Sequence, residues 1–341
     1  MNSEASTPAA APEAAPHVSP LRAFWRGPGG TAVRWVLALL PLLWLTRRVR
    51  WREVFERAVD VGPGGLAAAF GMLLLSVTVG AARWRTMMLA YGATETPSLP
   101  VLVRHYLVGF YFNMLPSGLA GDAVRAHRLA LHMPDMATSL TVVFLERVAG
   151  LFGLCIVAAS AMLWSAELQD DAVAQLLELG LLGALGLSAV VLAAPWALQR
   201  YASLRRLIER VPVLGAFALR IPPARSYLGL ALAVLQSVAT QSCAVLSVAF
   251  IVRPLAPSVS LLVCARVVPA IILATYIPLT PGGVGQRELV FQYMFGLVGV
   301  SAAAAVATSL LFFAEIVGLA VLGGLCLLAE RALRLDVRDR P

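Results

Sequence analysis

The 341-residue sequence contains no lysine and few charged residues of any kind. Charged side chains make up 13% of the chain, whereas 59% of its residues are hydrophobic and the mean hydropathy is +0.80. Soluble domains average about a quarter charged and about half apolar residues, so this composition excludes an ordinary soluble fold. Several apolar runs reach the roughly 20 residues that a helix needs to cross a bilayer. The sequence therefore predicts an all-α polytopic membrane protein.

Signatures of metal sites, nucleic-acid binding and hydrolytic catalysis are also lacking. The four cysteines lie within apolar runs, and the four histidines do not have metal-ligand spacing. The 27 basic residues are all arginine and give a net charge of +8, but they form no compact patch with interleaved aromatics. No glycine-rich ATP-binding loop is present. We therefore expect no catalytic residue, no metal, no cofactor and no nucleic-acid partner, and predict a transporter rather than an enzyme.

Composition divides the chain into a membrane domain between two tails. Residues 1–30 are rich in alanine, proline and serine, which predicts a disordered cytoplasmic tail. Residues 31–330 form the predicted transmembrane domain, and residues 331–341 a second cytoplasmic tail. The predicted spans cover about 31–46, 64–82, 137–164, 173–195, 226–251 and 302–329.

Charge at the ends of these spans predicts their orientation. The loop 199–225 carries six arginines and one acid, which places it in the cytoplasm by the positive-inside rule. The loop 165–172 carries three acids and no arginine, so we expect it outside. Residues 47–61 carry five arginines and three acids around two aromatic residues, which predicts an interfacial segment.

Two apolar segments share four landmarks at one constant offset of 162 residues. Each segment has an arginine, then a Pro/Gly break, then a second arginine: Arg104, Pro116, Gly121 and Arg125 match Arg266, Pro278, Gly283 and Arg287. Matching Pro/Gly-interrupted segments in two halves point to the binding site of a transporter. The halves cover about 64–164 and 226–329. If both broken segments are re-entrant, the mates 64–82 and 226–251 run in opposite directions, so we predict an inverted repeat with two re-entrant broken segments. The arginines of 47–61 then fall outside, against the positive-inside rule.

The ionisable residues within apolar stretches are the candidate substrate ligands. A charge at the bilayer centre costs about 2.5–3.5 kcal/mol on insertion scales, so such a group usually pairs or lines a wet cavity. Arg104 and Arg266 have the alternative of extending to an interface from segment ends. The full set consists of Arg104, Asp122, Arg125, Glu146, Arg147, Arg266, Arg287, Glu288 and Glu315.

Arg125 and Arg287 are the strongest candidates in this set for binding a phosphate group. Each follows a glycine by four residues, in the predicted first turn of a short helix. Free N–H groups and the positive dipole end at a helix start favour an anion, and a guanidinium adds a fork suited to phosphate. The alternative is a structural ion pair with one of the nearby acids. Glu146 and Arg147 are adjacent on one helix and cannot face each other, so their partners must come from other segments. Glu146 with Arg125, and Glu315 with Arg287, would be symmetric pairs.

Four motifs resemble one known family. They are Arg83-Trp84, LPSGLAGDAVRAHRL (115–129), LERVAGL (145–151) and LTPGGVGQRE (279–288), and the similarity extends from about residue 35 to 329. Together they are similar to the flippase-like lysylphosphatidylglycerol synthase transmembrane family. Ala120-Gly121 stands where the family usually has two glycines. The resemblance implies central positions at Asp122, Arg125, Glu146, Arg147, Gly282, Gly283, Gly285, Arg287 and Glu288.

The resemblance also implies a function. Family members are bacterial and archaeal inner-membrane proteins, and the best known carry a cytoplasmic aminoacyl-transferase domain and move aminoacylated phosphatidylglycerol between leaflets. Others belong to hopanoid or glycolipid pathways. Too few residues follow 329 for that synthase domain, so we expect a stand-alone member.

The resulting hypothesis is an inner-membrane translocase with both termini cytoplasmic. It would move an anionic or phosphate-bearing lipid, such as an aminoacyl-phospholipid, glycolipid or hopanoid-type lipid. Its partners would be the lipid substrate and the bilayer, with homo-oligomers and a lipid-biosynthesis enzyme left open. The alternatives are a non-transporting membrane partner of a glycosyltransferase and a membrane-embedded lipid-modifying transferase.

Overall fold

Every regular element that the computed structural model describes is an α-helix. It describes residues 51–113, 120–130, 132–133, 136–164, 171–210, 224–276 and 285–332. The helices are α1 Trp51–Asp60, α2 Gly62–Ala90, α3 Leu99–Asn113, α4 Ala120–Leu129, α5 Met136–Met162, α6 Ala172–Arg200, α7 Ala202–Glu209, α8 Tyr227–Leu255, α9 Leu261–Thr275, α10 Gln286–Gly296 and α11 Ala302–Ala332. The predicted span 31–46, the first tail, most of the second tail and the Pro/Gly stretches lie outside the described residues.

Five of these helices are long and apolar enough to cross a membrane. They are α2, α5, α6, α8 and α11. Each coincides with a predicted span, which confirms an all-α polytopic membrane protein. The predicted spans and the observed helices agree because an apolar stretch of spanning length can satisfy all its backbone hydrogen bonds within a bilayer only as a helix.

Polar side chains at the helix ends determine where several helices begin. The Asp171 carboxylate accepts hydrogen bonds from the backbone N–H groups of Val173 and Ala174 at the start of α6, and the Tyr293 hydroxyl also donates to it. The hydrogen bonds from Ala174 and Tyr293 hold the pKa of this carboxyl below its usual range. Before α11, Gly299 has a φ of +81° and the Ser301 hydroxyl accepts from the Ala304 N–H, which caps the start of the helix.

Helix lengths repeat between the two halves of the chain. Helices α2 and α8 both have 29 residues, α3 and α9 both have 15, and α4 and α10 have 10 and 11. Helix α5 has 27 residues and its mate α11 has 31. The offset between the starts of α3 and α9 (261 − 99 = 162) equals the offset of the sequence landmarks. The four helices α2–α5 are thus repeated as α8–α11.

The mates α2 and α8 lie against each other and run antiparallel. The Arg225 N–H, just before α8, donates to the Ala90 carbonyl at the end of α2, at 2.7 Å. Midway along both helices the Ser76 hydroxyl donates to the Thr240 carbonyl at 3.1 Å. Towards the start of α2, Gly65 faces the Phe250 carbonyl near the end of α8. Equivalent helices therefore run in opposite directions, which is the geometry of an inverted repeat.

Neither broken segment is a continuous helix. In the first hairpin (α3 and α4), the Gly121 N–H donates to the Asn113 side chain at 3.0 Å, and the Arg125 side chain lies against Gly109. The chain therefore turns back on itself between α3 and α4. In the second hairpin (α9 and α10), the Gln286 amide donates to the Ala274 carbonyl at 2.9 Å. Helices α3 and α9 are about 22 Å long at 1.5 Å per residue, shorter than the ~30 Å hydrocarbon core.

Each hairpin packs on the long helix of the opposite half. Helix α3 lies against α11, and α9 lies against α5. Close approach of α3 to α11 depends on glycine, because a Cβ on Gly323 would collide with the Leu107 carbonyl. Each half therefore packs one of its short helices against a long helix of the other half.

The helix termini gather at two ends of the molecule. The contacts of Arg225 with Ala90 and of Arg104 with Glu330 place the end of α2 and the starts of α3 and α8 together with the end of α11. We call this the first end. The opposite, second end holds the start of α6 beside α10, where Tyr293 bonds to Asp171.

Candidate functional site

Four helices of the first half meet around the buried carboxylate of Glu146 on α5. Arg83 on α2 donates to its Oε1, and Arg125 on α4 donates to its Oε2 at 2.6 Å. The Tyr106 hydroxyl on α3 also donates to Oε1, at 3.1 Å. Glu146 is 1% exposed, so its charge is neutralised by these partners and not by water. The predicted pairing of Glu146 with Arg125 is confirmed.

A second ion pair extends the network towards the surface. Arg147 donates to both oxygens of Asp122 from Nε and Nη2, at 3.0 and 2.7 Å. Asp122 Oδ1 also lies 3.7 Å from Arg125 Nη1. The Arg147 side chain is 46% exposed, whereas that of Arg125 is buried. Glu146 and Arg147 thus take partners from other helices, as predicted. We call the set Arg83, Tyr106, Asp122, Arg125, Glu146 and Arg147 the first cluster.

The first cluster carries one more positive than negative charge. Its three guanidiniums face the two carboxylates of Asp122 and Glu146. The tip of the first hairpin, residues 114–119, contains no acidic residue in its sequence. An uncompensated charge in a protein interior is costly, so binding one monovalent anion would balance the cluster.

Aromatic rings fix the central guanidinium of this cluster. Arg125 Cζ lies 4.7 Å from the ring centroid of Trp84 and 4.2 Å from that of Tyr106. Such stacking leaves the guanidinium edge free to donate hydrogen bonds while the faces stay covered. Arg125 is the sixth residue of α4, so the prediction that it lies in the first turn is wrong; the helix begins earlier, at Ala120.

The second hairpin carries a corresponding arginine, Arg287, which is paired with Glu288. We call these two residues the second cluster, and their net charge is zero. Arg287, the second residue of α10, donates to Glu288 at 2.8 Å and stacks over the Phe313 ring at 4.0 Å. Glu288 also accepts from the Gly285 N–H at 2.6 Å, and Gly285 begins the helix with a φ of +80°. Arg287 is in the first turn, as predicted. Gly282 and Gly283 lie outside the described residues.

The predicted pair of Glu315 and Arg287 is wrong. The Glu315 carboxylate accepts a hydrogen bond from the Ser247 hydroxyl at 2.9 Å, and Arg287 has Glu288 as its partner. The long helices of the two halves therefore differ in their buried glutamates: Glu146 of α5 binds arginine, whereas Glu315 of α11 accepts from a hydroxyl. The two halves repeat in backbone but not in charge.

Arg104 and Arg266 form interhelical ion pairs inside the protein. Arg104 Nε lies 3.0 Å from Glu330 on α11, and Arg128 donates to both oxygens of Glu330 at 2.8 Å. Arg266 donates to Glu178 on α6. Both arginines therefore join the hairpins to neighbouring helices. That they also extend to an interface stays a prediction.

Sequence reasoning missed Arg83, Arg128 and Glu330. Arg83 and Trp84 stood out in the sequence only as a family motif, but both are buried, Arg83 within the first cluster and Trp84 against its Arg125. Residues 87–90 are apolar, and this part of the sequence indicates that the helix continues beyond Arg85. Glu330 lies 202 residues from Arg128, and no local pattern connects them.

Comparison with known proteins identifies the family. No curated protein matches the chain. The family model described as lysylphosphatidylglycerol synthase TM region matches residues 31–324. This match covers most of the chain and includes the described helices of both clusters. The chain therefore belongs to the lysylphosphatidylglycerol synthase TM region family and is a multi-pass membrane protein involved in lipid handling.

Proposed function

We propose that this protein is a translocase that moves an anionic, phosphate-bearing lipid between the leaflets of the bacterial inner membrane. The observation that carries the proposal is the excess positive charge of the first cluster, at membrane depth. It supports a transporter rather than an enzyme, because the buried charged groups there are arranged to bind and not to activate a nucleophile.

A phosphodiester head group suits the first cluster in charge and shape. It carries one negative charge, which equals the excess of the cluster, and its oxygens match the guanidinium fork. Arg125 is held between two rings and Arg147 is half exposed, so the pair offers one fixed and one accessible donor. The acyl chains would remain in the surrounding lipid.

The two hairpins suggest how the head group crosses. The first hairpin begins at the first end and the second at the second end, and α3 and α9 are too short to span. We propose that both are re-entrant, so that their Pro/Gly stretches approach the midplane from opposite leaflets. Non-helical backbone at that depth is tolerated where it lines a cavity.

Arginine distribution supports a cytoplasmic first end. In sequence, the loop 199–225 that leads into α8 contains six arginines and one acid, and the tail 331–341 contains four arginines and two acids. Residues 165–172 bring three acids to the second end. The five arginines of 47–61 near the second end oppose this orientation, but three acids accompany them. We propose that both termini are cytoplasmic.

Lipid movement by the purified protein tests the proposal. We expect proteoliposomes to transfer fluorescent phosphatidylglycerol between leaflets, measured by quenching of the outer leaflet, faster than fluorescent phosphatidylcholine. Arg125→Ala and Arg287→Ala should abolish this preference, whereas Arg205→Ala, which removes an exposed arginine on α7, should retain it. Equal rates for both lipids, or rates equal to protein-free vesicles, would refute the proposal. Loss of a glycolipid product on deletion, with lipid movement unchanged, would instead support a partner of a glycosyltransferase.

A further inference from the structure

Glu315 differs from the other buried glutamates of the protein. Within the described residues four glutamates are buried, and three of them bind an arginine: Glu146, Glu288 and Glu330. Glu315 on α11 is 7% exposed and forms no ion pair there. Its Oε2 accepts a hydrogen bond from Ser247 on α8, and its Oε1 has no hydrogen-bond partner. Among the residues that the structure describes, the buried carboxyl therefore has a single hydroxyl as its hydrogen-bond partner.

The buried arginines on the helices around α11 pair with carboxylates other than that of Glu315. Arg83 on α2 binds Glu146, Arg104 on α3 lies against Glu330, and Arg287 on α10 binds Glu288. The other buried arginines of the two hairpins are paired as well: Arg125 with Glu146, Arg128 with Glu330 and Arg266 with Glu178.

Among the side chains that the structure describes, the remaining titratable groups on these neighbours are exposed, are uncharged or lie near the first end, as Arg85 on α2 and His105 on α3 do. On α8, Arg253 is exposed and Cys243 is a buried thiol. On α1, Arg57 lies near Asp60 on an exposed face, and Glu56 is also exposed. One turn beyond Glu315, Gly318 faces the Phe70 ring of α2, so the adjoining surface is apolar.

A proton is the ligand that this environment favours. A carboxylate without a counter-ion in an apolar interior is expensive, and binding one proton removes the charge. A divalent cation would need about six oxygen ligands. Glu315 and Ser247 supply the oxygens that the described residues place together here, too few for a metal ion.

The position of Glu315 links it to both hairpins. Ser309 and Phe313 on the same helix contact Arg287 of the second hairpin. Residues 313 and 315 point about 200° apart at 3.6 residues per turn, so Glu315 lies on the opposite side of α11, towards α8. Further along α11, Gly323 and Glu330 hold the first hairpin. A change in charge at Glu315 therefore acts on the helix that contacts both hairpins.

We propose that Glu315 is a proton-binding site, and that its protonation is coupled through α11 to lipid movement. Uptake of a proton converts the carboxylate to a neutral acid and allows α11 to pack closely on α8. Release restores a buried negative charge, which favours a rearranged α11 that admits water or a cationic group. The coupling rests on the proposed lipid translocation, whereas the proton site does not.

Infrared difference spectroscopy of the purified wild-type protein tests the site. A pH titration should reveal a C=O stretching band of a buried protonated carboxyl, which is absent in Glu315→Gln and retained in Glu330→Gln, whose glutamate is paired with arginine. Ser247→Ala should shift this band, because the hydroxyl no longer donates to Oε2. A titrating band that persists in Glu315→Gln, or no such band in the wild type, would overturn the proton site.

Lipid distribution under a pH gradient tests the coupling. In proteoliposomes, a gradient of one pH unit at zero voltage should produce up to about tenfold asymmetry of labelled phosphatidylglycerol if one proton moves per lipid. Glu315→Gln should give a symmetric distribution. A symmetric distribution in the wild type overturns the coupling. If the wild type moves no lipid while the infrared band behaves as expected, the proposed translocation fails and the proton site stands.

Discussion

Arg125 combines four contacts that make it the most constrained guanidinium of the first cluster. It pairs with Glu146, lies near Asp122 and is covered by the rings of Trp84 and Tyr106. Two of its contacts are electrostatic and two are stacking, so its charge and its planar shape have separate roles. A substitution that preserves only one of these properties can distinguish them.

We expect Arg125→Ala to reduce phosphatidylglycerol transfer at least about tenfold. A hydrogen bond from a charged donor contributes about 1.5–3 kcal/mol, and about 1.4 kcal/mol corresponds to a factor of ten. Arg125→Lys should restore only part of the rate, because an ammonium retains the charge but loses the fork and the stacking. Initial rates in proteoliposomes, normalised to inserted protein, provide the measurement.

The double variant Arg125→Ala with Glu146→Gln separates lipid binding from a structural ion pair. If Arg125 served only to neutralise Glu146, the double variant would transport as well as Glu146→Gln alone, because both variants leave Arg83 without its carboxylate and neither retains the charge of Glu146. We expect slower transfer than in Glu146→Gln, because the phosphate ligand is still missing. Transfer by the double variant equal to that of Glu146→Gln would eliminate Arg125 as a head-group ligand.

Helix α11 belongs to the second half of the molecule and packs on the first hairpin. It packs on the first hairpin through glycine and holds it with Glu330. Close backbone approach and a buried bidentate ion pair are independent of each other, so each can be tested by its own substitution.

Gly323→Ala should weaken the packing of α3 on α11. The added methyl group would meet the Leu107 carbonyl, which belongs to a helix backbone and cannot move alone. Overpacking of this kind costs about 1–3 kcal/mol. Gly183→Ala on α6 is the matched control, because nothing lies within 4 Å of its added Cβ. Thermal unfolding in detergent should show a lower Tm for Gly323→Ala alone; equal Tm values would contradict the close approach.

Glu330→Gln should destabilise the same contact by removing charge. Arg128 is buried and donates two hydrogen bonds to Glu330, so the variant leaves its guanidinium without a carboxylate. Breaking a buried ion pair in this way costs about 3–5 kcal/mol. Glu209→Gln, which removes an exposed pair with Arg205, should cost about 0.5 kcal/mol or less. A Tm for Glu330→Gln as high as that of Glu209→Gln would show that the ion pair is not stabilising.

The positions and lengths of the helices were much more predictable from the sequence than the contacts between the helices. Long apolar runs predicted α2, α5, α6, α8 and α11, because burial in lipid imposes a helix of known length. Pro/Gly breaks predicted where α3 and α9 end. The partners of Arg83 and Arg128 were not predictable, because Ser237 and Glu330 lie 154 and 202 residues away and only packing brings them close.

On the scale of the whole molecule, the two halves have related backbones and different charges. Because α2 and α8 run antiparallel, the first hairpin begins at the first end and the second hairpin begins at the second end. The first cluster has an unbalanced positive charge, whereas the second pairs its arginine internally. A transporter of this shape would bind an anion more strongly from the side of the first hairpin. The direction of that preference depends on which end faces the cytoplasm.

Cysteine labelling in intact cells determines the orientation of the two ends. The native cysteines, Cys155, Cys243, Cys264 and Cys326, are replaced by alanine to give a silent background. Ser203 on α7 reports on the first end, and Ser258 between α8 and α9 reports on the second end; both are exposed. Because arginine-rich loops stay in the cytoplasm, we expect a membrane-impermeant maleimide to label Ser258→Cys in intact cells and Ser203→Cys only after permeabilisation. Labelling of Ser203→Cys in intact cells would reverse the orientation and place the positively charged first cluster nearer the outer leaflet.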